Sequence, residues 1–185
     1  MFGIKAEINI SHKSNSLLIN NLHAYQNAKR LDSDSISIIN LNFQILKELI
    51  KYSNKEYHLI VLFVDWCKPS RERIPMIDSV TSGFQNLFVY YVYPDREKNL
   101  KFLKRYLRNQ SIIRKAYVLD NTYKGNVARR FIAFRNQICA DCENYLGFPT
   151  VILMDKSMKV LFKATGGDIE GLKDFLIEFN AHNKN

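Results

Sequence analysis

Residues 58–78 read HLIVLFVDWCKPSRERIPMID, and the fold is decided there. From His58 to Asp65 the run is almost continuous in apolar and β-branched side chains, the composition of a central strand covered on both faces. Ile74, Ile77 and, just beyond, Val80 then recur at helical spacing. The chain therefore passes from a buried strand into a helix across Trp66 and Cys67. A cysteine at such a junction sits where the unpaired N–H groups of the first turn and the helix dipole favour thiolate over thiol. Lys68 adds a positive charge beside it, and Pro69 suits a first turn because its missing N–H would have found no intrahelical partner. That is the setting of a nucleophile; a structural cysteine packed as a small hydrophobe is the alternative.

Outward from this segment the pattern alternates. SISIINL (35–41) reads as a strand, and FQILKELIKYS (43–53) as a helix with Phe43, Leu46, Leu49 and Ile50 on one stripe. LFVYYVY (87–93) is the next strand, closed by Pro94. REKNLKFLKRYLRNQ (96–110) places Leu100, Leu103, Tyr106 and Leu107 inward and Lys98, Lys101, Lys104, Arg105 and Arg108 around the rest. AYVLD (116–120) reads as a short strand, and YKGNVARRFIAFRNQI (123–138) as a helix with Val127, Phe131 and Phe134 inward. FPTVILMD and KVLFKA are strands separated by the turn residues DKSM, and GLKDFLIEF is a closing helix led in by Asp168 as its N-cap. Residues 4–10 alternate at period two, the pattern of an edge strand, within a polar stretch taken as an N-terminal extension over 1–33. Alternating β and α with a final hairpin indicates an α/β domain built on a mixed sheet.

The 185 residues carry 27 Lys plus Arg against 18 Asp plus Glu, a formal +9, with 46% hydrophobic residues. This excludes intrinsic disorder, and the lack of any apolar run near 18 residues excludes a spanning helix. The start, MFGIKAEINISHKSNS, has no basic stretch followed by an apolar core, so no secretory signal is read in it. Cys67, Cys139 and Cys142 are too few for a disulfide scaffold, and an odd count leaves at least one thiol free or transiently paired.

At this point VLFVDWCKPSRERIPMID resembles the active-site segment of the thioredoxin superfamily, in which a strand ends in Trp-Cys-x-Pro-Cys and a helix follows. Pro75 stands eight residues after Cys67, the family's spacing for a helix proline. Gly147, Phe148, Pro149 and Thr150 resemble the cis-proline strand start, and KVLFKATGG the last strand with its glycine turn. The resemblance spans about residues 34–180. Because 81 positions separate Cys67 from Phe148, the chain is more similar to the larger TlpA/ResA type of bacterial thioredoxin-like proteins, which insert secondary structure there. The resemblance implies a thioredoxin-like domain over 34–182: a central mixed sheet flanked by helices, with a helical insertion over about 94–145. It also implies Cys67 as nucleophile in the motif Trp66, Lys68, Pro69, Ser70, and a substrate groove at Phe148, Pro149 and Thr150.

Two departures qualify it. Ser70 stands where the family has its second cysteine, and a hydroxyl cannot attack a mixed disulfide, because thiol-disulfide exchange needs a sulfur nucleophile. Val61 occupies the position of the buried carboxylate that helps thioredoxins move protons. Cys139 and Cys142 form a separate C-x-x-C that ends seven residues before Pro149. They are candidate resolving thiols for Cys67, a redox couple of their own, or packing and loop residues. No cofactor is implied. A zinc site needs two more ligands, and His12, His23, His58 and His182 show no spacing that supplies them.

Lys115, Lys124, Arg114, Arg129, Arg130 and Arg135 join the basic helix in concentrating positive charge in the insertion, read as a solvated face or else as a docking surface for an acidic partner, a membrane or nucleic acid. Without a phosphate-cradling glycine loop or an aromatic-basic sheet, nucleic acid is not expected. Asp65 reads as a surface carboxylate or a catalytic acid. Two functions follow: a single-cysteine (CKPS) thiol-disulfide oxidoreductase acting on a disulfide-containing protein or a small thiol with an external thiol reductant, or a degenerate peptide-binding module with little turnover. The resemblance implies the cell envelope or periplasm; the cytoplasm is the alternative.

Overall fold

The computed structural model describes residues 37–95, 99–110, 115–142, 147–166 and 169–182. The chain divides after Ser35 into two units, and the fold below is that of the second. The period-two stretch at 4–10, the extension 1–33, Arg114 and the Asp168 cap lie outside the described residues.

Six strands form one sheet in the order β1-β4-β3-β2-β5-β6: β1 (Ser37–Leu41), β2 (Tyr57–Leu62), β3 (Leu87–Tyr93), β4 (Lys115–Leu119), β5 (Thr150–Asp155) and β6 (Val160–Thr165). The first four strands run parallel to one another, whereas β5 is antiparallel to β2 and β6 to β5. The mixed α/β sheet expected from the alternation is present, and HLIVLF lies at its centre with Leu59 to Leu62 fully buried. Burial on both faces is what that unbroken apolar run demands.

Five helices pack on the sheet: α1 (Phe43–Lys51), α2 (Lys68–Thr81), α3 (Leu100–Gln110), α4 (Val127–Ile138) and α5 (Ile169–His182). Helix α1 touches α4, and α2 touches α5. Each helix buries the stripe its periodicity marks: Leu46 and Ile50 on α1, Ile74 and Ile77 on α2, Leu103, Tyr106 and Leu107 on α3, Phe131 and Phe134 on α4, Leu172 and Leu176 on α5. Helix α1 begins at Asn42, whose side-chain oxygen accepts from Ile45 N at 2.9 Å, and α4 begins at Asn126, which accepts from Arg129 N at 3.0 Å. Each cap satisfies an N–H group that the first helical turn leaves free.

Two expectations need correction. The segment between β3 and β5, named a helical insertion, also holds β4, the strand read at AYVLD, which enters the sheet between β1 and β3. The basic residues of α4 are also not all solvated. Arg130 is 2% exposed, and its guanidinium donates to the carbonyls of Pro94, at 2.7 Å, and of Tyr123 and Leu119. Arg135 is buried too, with its guanidinium 5.5 Å from the Phe131 ring. The planar five-donor fork explains the outcome: Arg130 gathers carbonyls from the ends of β3 and β4 and from the loop before α4, which sheet pairing leaves over.

His58 is buried on β2, its ring against Tyr90 and its Nε2 3.2 Å from Lys55 O. Burial lowers its pKa from 6.5 to about 4, with the nearby Lys55 carbonyl opposing the shift.

Replacing Arg130 with methionine is expected to cost about 3 kcal/mol in urea unfolding, because several buried carbonyls lose a charged donor. Arg130→Lys should recover little of it, since an ammonium cannot span the same acceptors. For His58, the unfolded chain takes up a proton near pH 6.5 that the folded protein refuses until about pH 4. Stability should therefore decline as pH falls through that window, and the melting temperature of His58→Gln should decline less steeply across it.

Candidate active site

Register places the site. Leu62, the last residue of β2, pairs with Thr150, the first of β5. The chain therefore leaves β2 toward Cys67 beside the point where it enters β5 from Pro149. Phe63 and Val64 stay buried after the strand ends, and the turn at Asp65 and Trp66 delivers Cys67 as the N-cap of α2. Cys67 is half-buried, and its thiol donates to Phe148 O at 3.6 Å, a contact across 81 positions of sequence. The Phe148–Pro149 peptide is cis.

The first turn of α2 shapes what the sulfur meets. Lys68 and Pro69 are the first two helical residues, and Arg71 N closes the turn on Cys67 O at 3.1 Å. An N-cap side chain ordinarily accepts from the second or third helical N–H, and Pro69 has none. Ser70 N–H is thus the cap donor left for a thiolate. The Ser70 side chain points inward: it is fully buried, with its hydroxyl 3.5 Å from Val64 N. Lys68, expected to add positive charge beside the thiol, is exposed. Its ammonium extends into solvent and pairs with Glu72, one turn on, at 3.7 Å.

The opposite wall is aromatic. Phe148 packs edge-on against Trp66 at 6.2 Å and against Phe131 of α4 at 4.8 Å, while Trp66 itself is 58% exposed. Pro149 and Thr150 are buried behind it. Thr150 Oγ1 donates to Gly147 O at 2.6 Å, and Gly166 N donates to Pro149 O at 2.8 Å. Gly166 has a φ of +64°, and a Cβ on Gly147 would lie 2.8 Å from Thr165 Oγ1, so glycine is required at both ends of this support.

Asp65 with Tyr93, and Tyr106, escaped the sequence reading, while the pairing of Cys139 was one of the alternatives it left open. Asp65 is not a free surface carboxylate: Tyr93 OH donates to its Oδ1 at 2.6 Å, and Arg71 Nη1 donates to its carbonyl at 3.2 Å. Burial, and then the bond to Asp65, push the Tyr93 phenol pKa up. Tyr106 of α3 is 8% exposed, and its hydroxyl has no hydrogen-bond partner; burial, opposed by the Arg71 charge, pushes its pKa up to about 12. Cys139 and Cys142 are disulfide-bonded to each other with Cα atoms 5.4 Å apart, both buried, leaving Cys67 as the free cysteine. Asp141 between them is pinned to β6 by Lys163 at 2.5 Å, which holds its carboxyl below the usual range. Cys139, Asp141 and Cys142 bring three ligand atoms within 4.8 Å, but sulfurs bonded to each other offer no thiolate to a metal.

Solved structures similar to this chain include the thioredoxin domain of a thiol-disulfide oxidoreductase from Bacteroides vulgatus, at 20% identity over 67% of this chain and 79% of that one, TM-score 0.50. A thioredoxin-like protein from Aeropyrum pernix matches at 14% identity over 70% and 81%, TM-score 0.51. A thiol:disulfide interchange protein from Bacteroides sp. matches at 18% identity over 76% and 88%, TM-score 0.51. No protein-family model matches the chain, and no curated protein matches it in sequence. The structural likeness shows the fold: the chain has a thioredoxin-like fold, with the mixed sheet and final hairpin in the positions described above.

Since Lys68 is exposed and engaged by Glu72, Lys68→Ala should change the rate of iodoacetamide labelling at Cys67 by no more than about twofold. Glu72→Ala, which frees the ammonium, should raise it. Peptide mass spectrometry of timed reactions measures both.

Proposed function

We propose that the protein is a thiol-disulfide oxidoreductase with a single active-site cysteine. The observation that carries this reading is the placement of a free Cys67 at the N-cap of α2, with its sulfur 3.6 Å from the carbonyl that precedes the cis proline. In the reaction, the Cys67 thiolate attacks one sulfur of a substrate disulfide. A Cys67–substrate disulfide forms, the original S–S bond breaks, and the second substrate sulfur leaves as a thiolate that takes a proton from water. The backbone at Phe148 is the edge along which a substrate strand pairs, and Trp66 and Phe148 cover its side chains.

Ser70 cannot resolve the intermediate, and its hydroxyl is buried beneath the turn. Cys139 and Cys142 supply no free thiol while bonded to each other. Release therefore falls to an external thiol, whose thiolate attacks the substrate sulfur of the mixed disulfide: a disulfide between the external thiol and the substrate forms, the Cys67–substrate bond breaks, and Cys67 leaves as thiolate. The neighbours named as thiol-disulfide oxidoreductases support this reading over a binding module without turnover. Disulfide-containing proteins are the substrate class, and the cell envelope is the compartment proposed; no helix among the described residues is long and apolar enough to cross a membrane.

Insulin reduction driven by dithiothreitol or by glutathione tests the reading. Cys67→Ser should abolish the protein-dependent rate, and Ser70→Cys, which supplies the missing resolving thiol, should raise it severalfold. A Cys139→Ser, Cys142→Ser double variant should retain turnover. Wild-type protein that adds nothing to the thiol background would overturn the proposal, and a double variant that accumulates mixed disulfide on Cys67 would return the resolving role to that pair.

A further inference from the structure

Helix α3, LKFLKRYLRNQ, carries Lys101, Lys104, Arg105 and Arg108 and no acidic residue. All four are exposed, and among the described residues none of them makes an ion pair. The helix buries its apolar stripe completely through Leu103, Tyr106 and Leu107, yet Phe102 remains 49% exposed. Lys101 Nζ lies 5.0 Å from the centre of that ring. Four like charges on three turns, with no ion-pair partner among the described residues, repel one another.

Helix α3 also packs on the segment that leads to the thiol. Tyr106 packs on Phe63, which leads out of β2 toward Cys67, with ring centres 6.1 Å apart. Its phenol feels the charges of Arg71, one turn into α2, and of Asp65, two residues before Cys67. Phe102 lies one turn before Tyr106 on the same side of α3. The helix that carries the cations and the exposed ring thus reaches, through Tyr106, the segment that runs from β2 into α2.

We infer that α3 is a docking surface for an acidic segment of the disulfide-bearing polypeptide that Cys67 attacks, an inference that rests on the oxidoreductase reading and names its substrate class. A membrane fits less well, because the apolar face that would enter lipid is already buried in the core. Nucleic acid fits less well too: one exposed ring covered by an ammonium is not a stacking platform. An acidic peptide uses both features, with carboxylates on the cations and an apolar side chain on Phe102. Guided by the same charges, it approaches the thiol faster at low salt.

The experiment uses a fluorescent, cysteine-free, glutamate-rich peptide and its glutamine counterpart, read by anisotropy. A parallel pair carries an activated cysteine–thiopyridyl disulfide. There the Cys67 thiolate bonds to the peptide sulfur, and thiopyridone, released and protonated, reports the rate. Wild-type protein should bind the acidic peptide at least about tenfold more tightly than the neutral one, and should react with its activated form about tenfold faster. Both advantages should vanish at ~0.5 M salt and in a Lys104→Glu, Arg105→Glu, Arg108→Glu variant whose circular dichroism is unchanged. Equal binding of the two peptides, or tight acidic binding where both activated peptides exchange with Cys67 at the same rate, overturns the inference, as does retention of phosphatidylserine vesicles or single-stranded oligonucleotide without retention of the acidic peptide. If acidic binding holds but no peptide exchanges with Cys67, the oxidoreductase reading falls while the docking surface stands.

Discussion

The antiparallel register of β2 on β5 is the constraint from which the site follows. It aligns Leu62 with Thr150, so the end of one buried strand and the start of the next share one edge of the sheet. Both strands are apolar at their centres, and a slip of one residue would turn Leu59, Val61, Val151 and Leu153 to the opposite face. The register that fills the core is thus the one that sets Cys67 beside Phe148. No bond between the two loops is needed to bring them together. The 3.6 Å contact from the thiol to Phe148 O reports an approach that the core has already enforced.

The supports around that approach are polar and come from far apart in the chain. Gly166 N holds Pro149 O from β6, Thr150 ties Gly147 to Thr165, and the Cys139–Cys142 disulfide with the Asp141–Lys163 pair fastens the end of α4 to β6. On the other wall Tyr93 grips Asp65, and Arg71 grips its carbonyl. Each support fixes backbone rather than a reacting atom. A nucleophile on a cap, facing a carbonyl on a loop, is held well only if both backbones are, because neither lies within a strand or helix interior.

What was legible in the sequence and what was not divides along the range of the interactions. HLIVLF read as a central strand and Cys67 read as a helix start because both signals are local: a run of β-branched side chains, then a change of period next to proline. The Lys68–Glu72 pair was also legible in principle at i, i+4 spacing. Arg130 was not. Its burial depends on carbonyls of Pro94, Leu119 and Tyr123, brought together only by β4 entering the sheet, and by composition alone an arginine on a helix belongs in water. The grip of Tyr93 on Asp65 and the Phe131–Phe148 stack have the same character, and so does the choice between Cys142 and Cys67 as partner for Cys139.

Ser70 then takes on a double meaning. The third position of the helix contributes two groups to a cap: a backbone N–H that serves a thiolate at Cys67, and a side chain that in a dithiol motif would attack the intermediate. Serine keeps the first and removes the second, and its small hydroxyl fits the buried space under Val64. Proline at the second position sharpens the division, since it leaves Ser70 N–H as the remaining cap donor. Such a site, under the proposed reading, holds what it captures until a second thiol arrives. Under the proposed reading, the lifetime of the mixed disulfide is therefore set by how easily an external thiol reaches Cys67 past Trp66 and Phe148, and the exposed Trp66 becomes part of the release step as much as of capture.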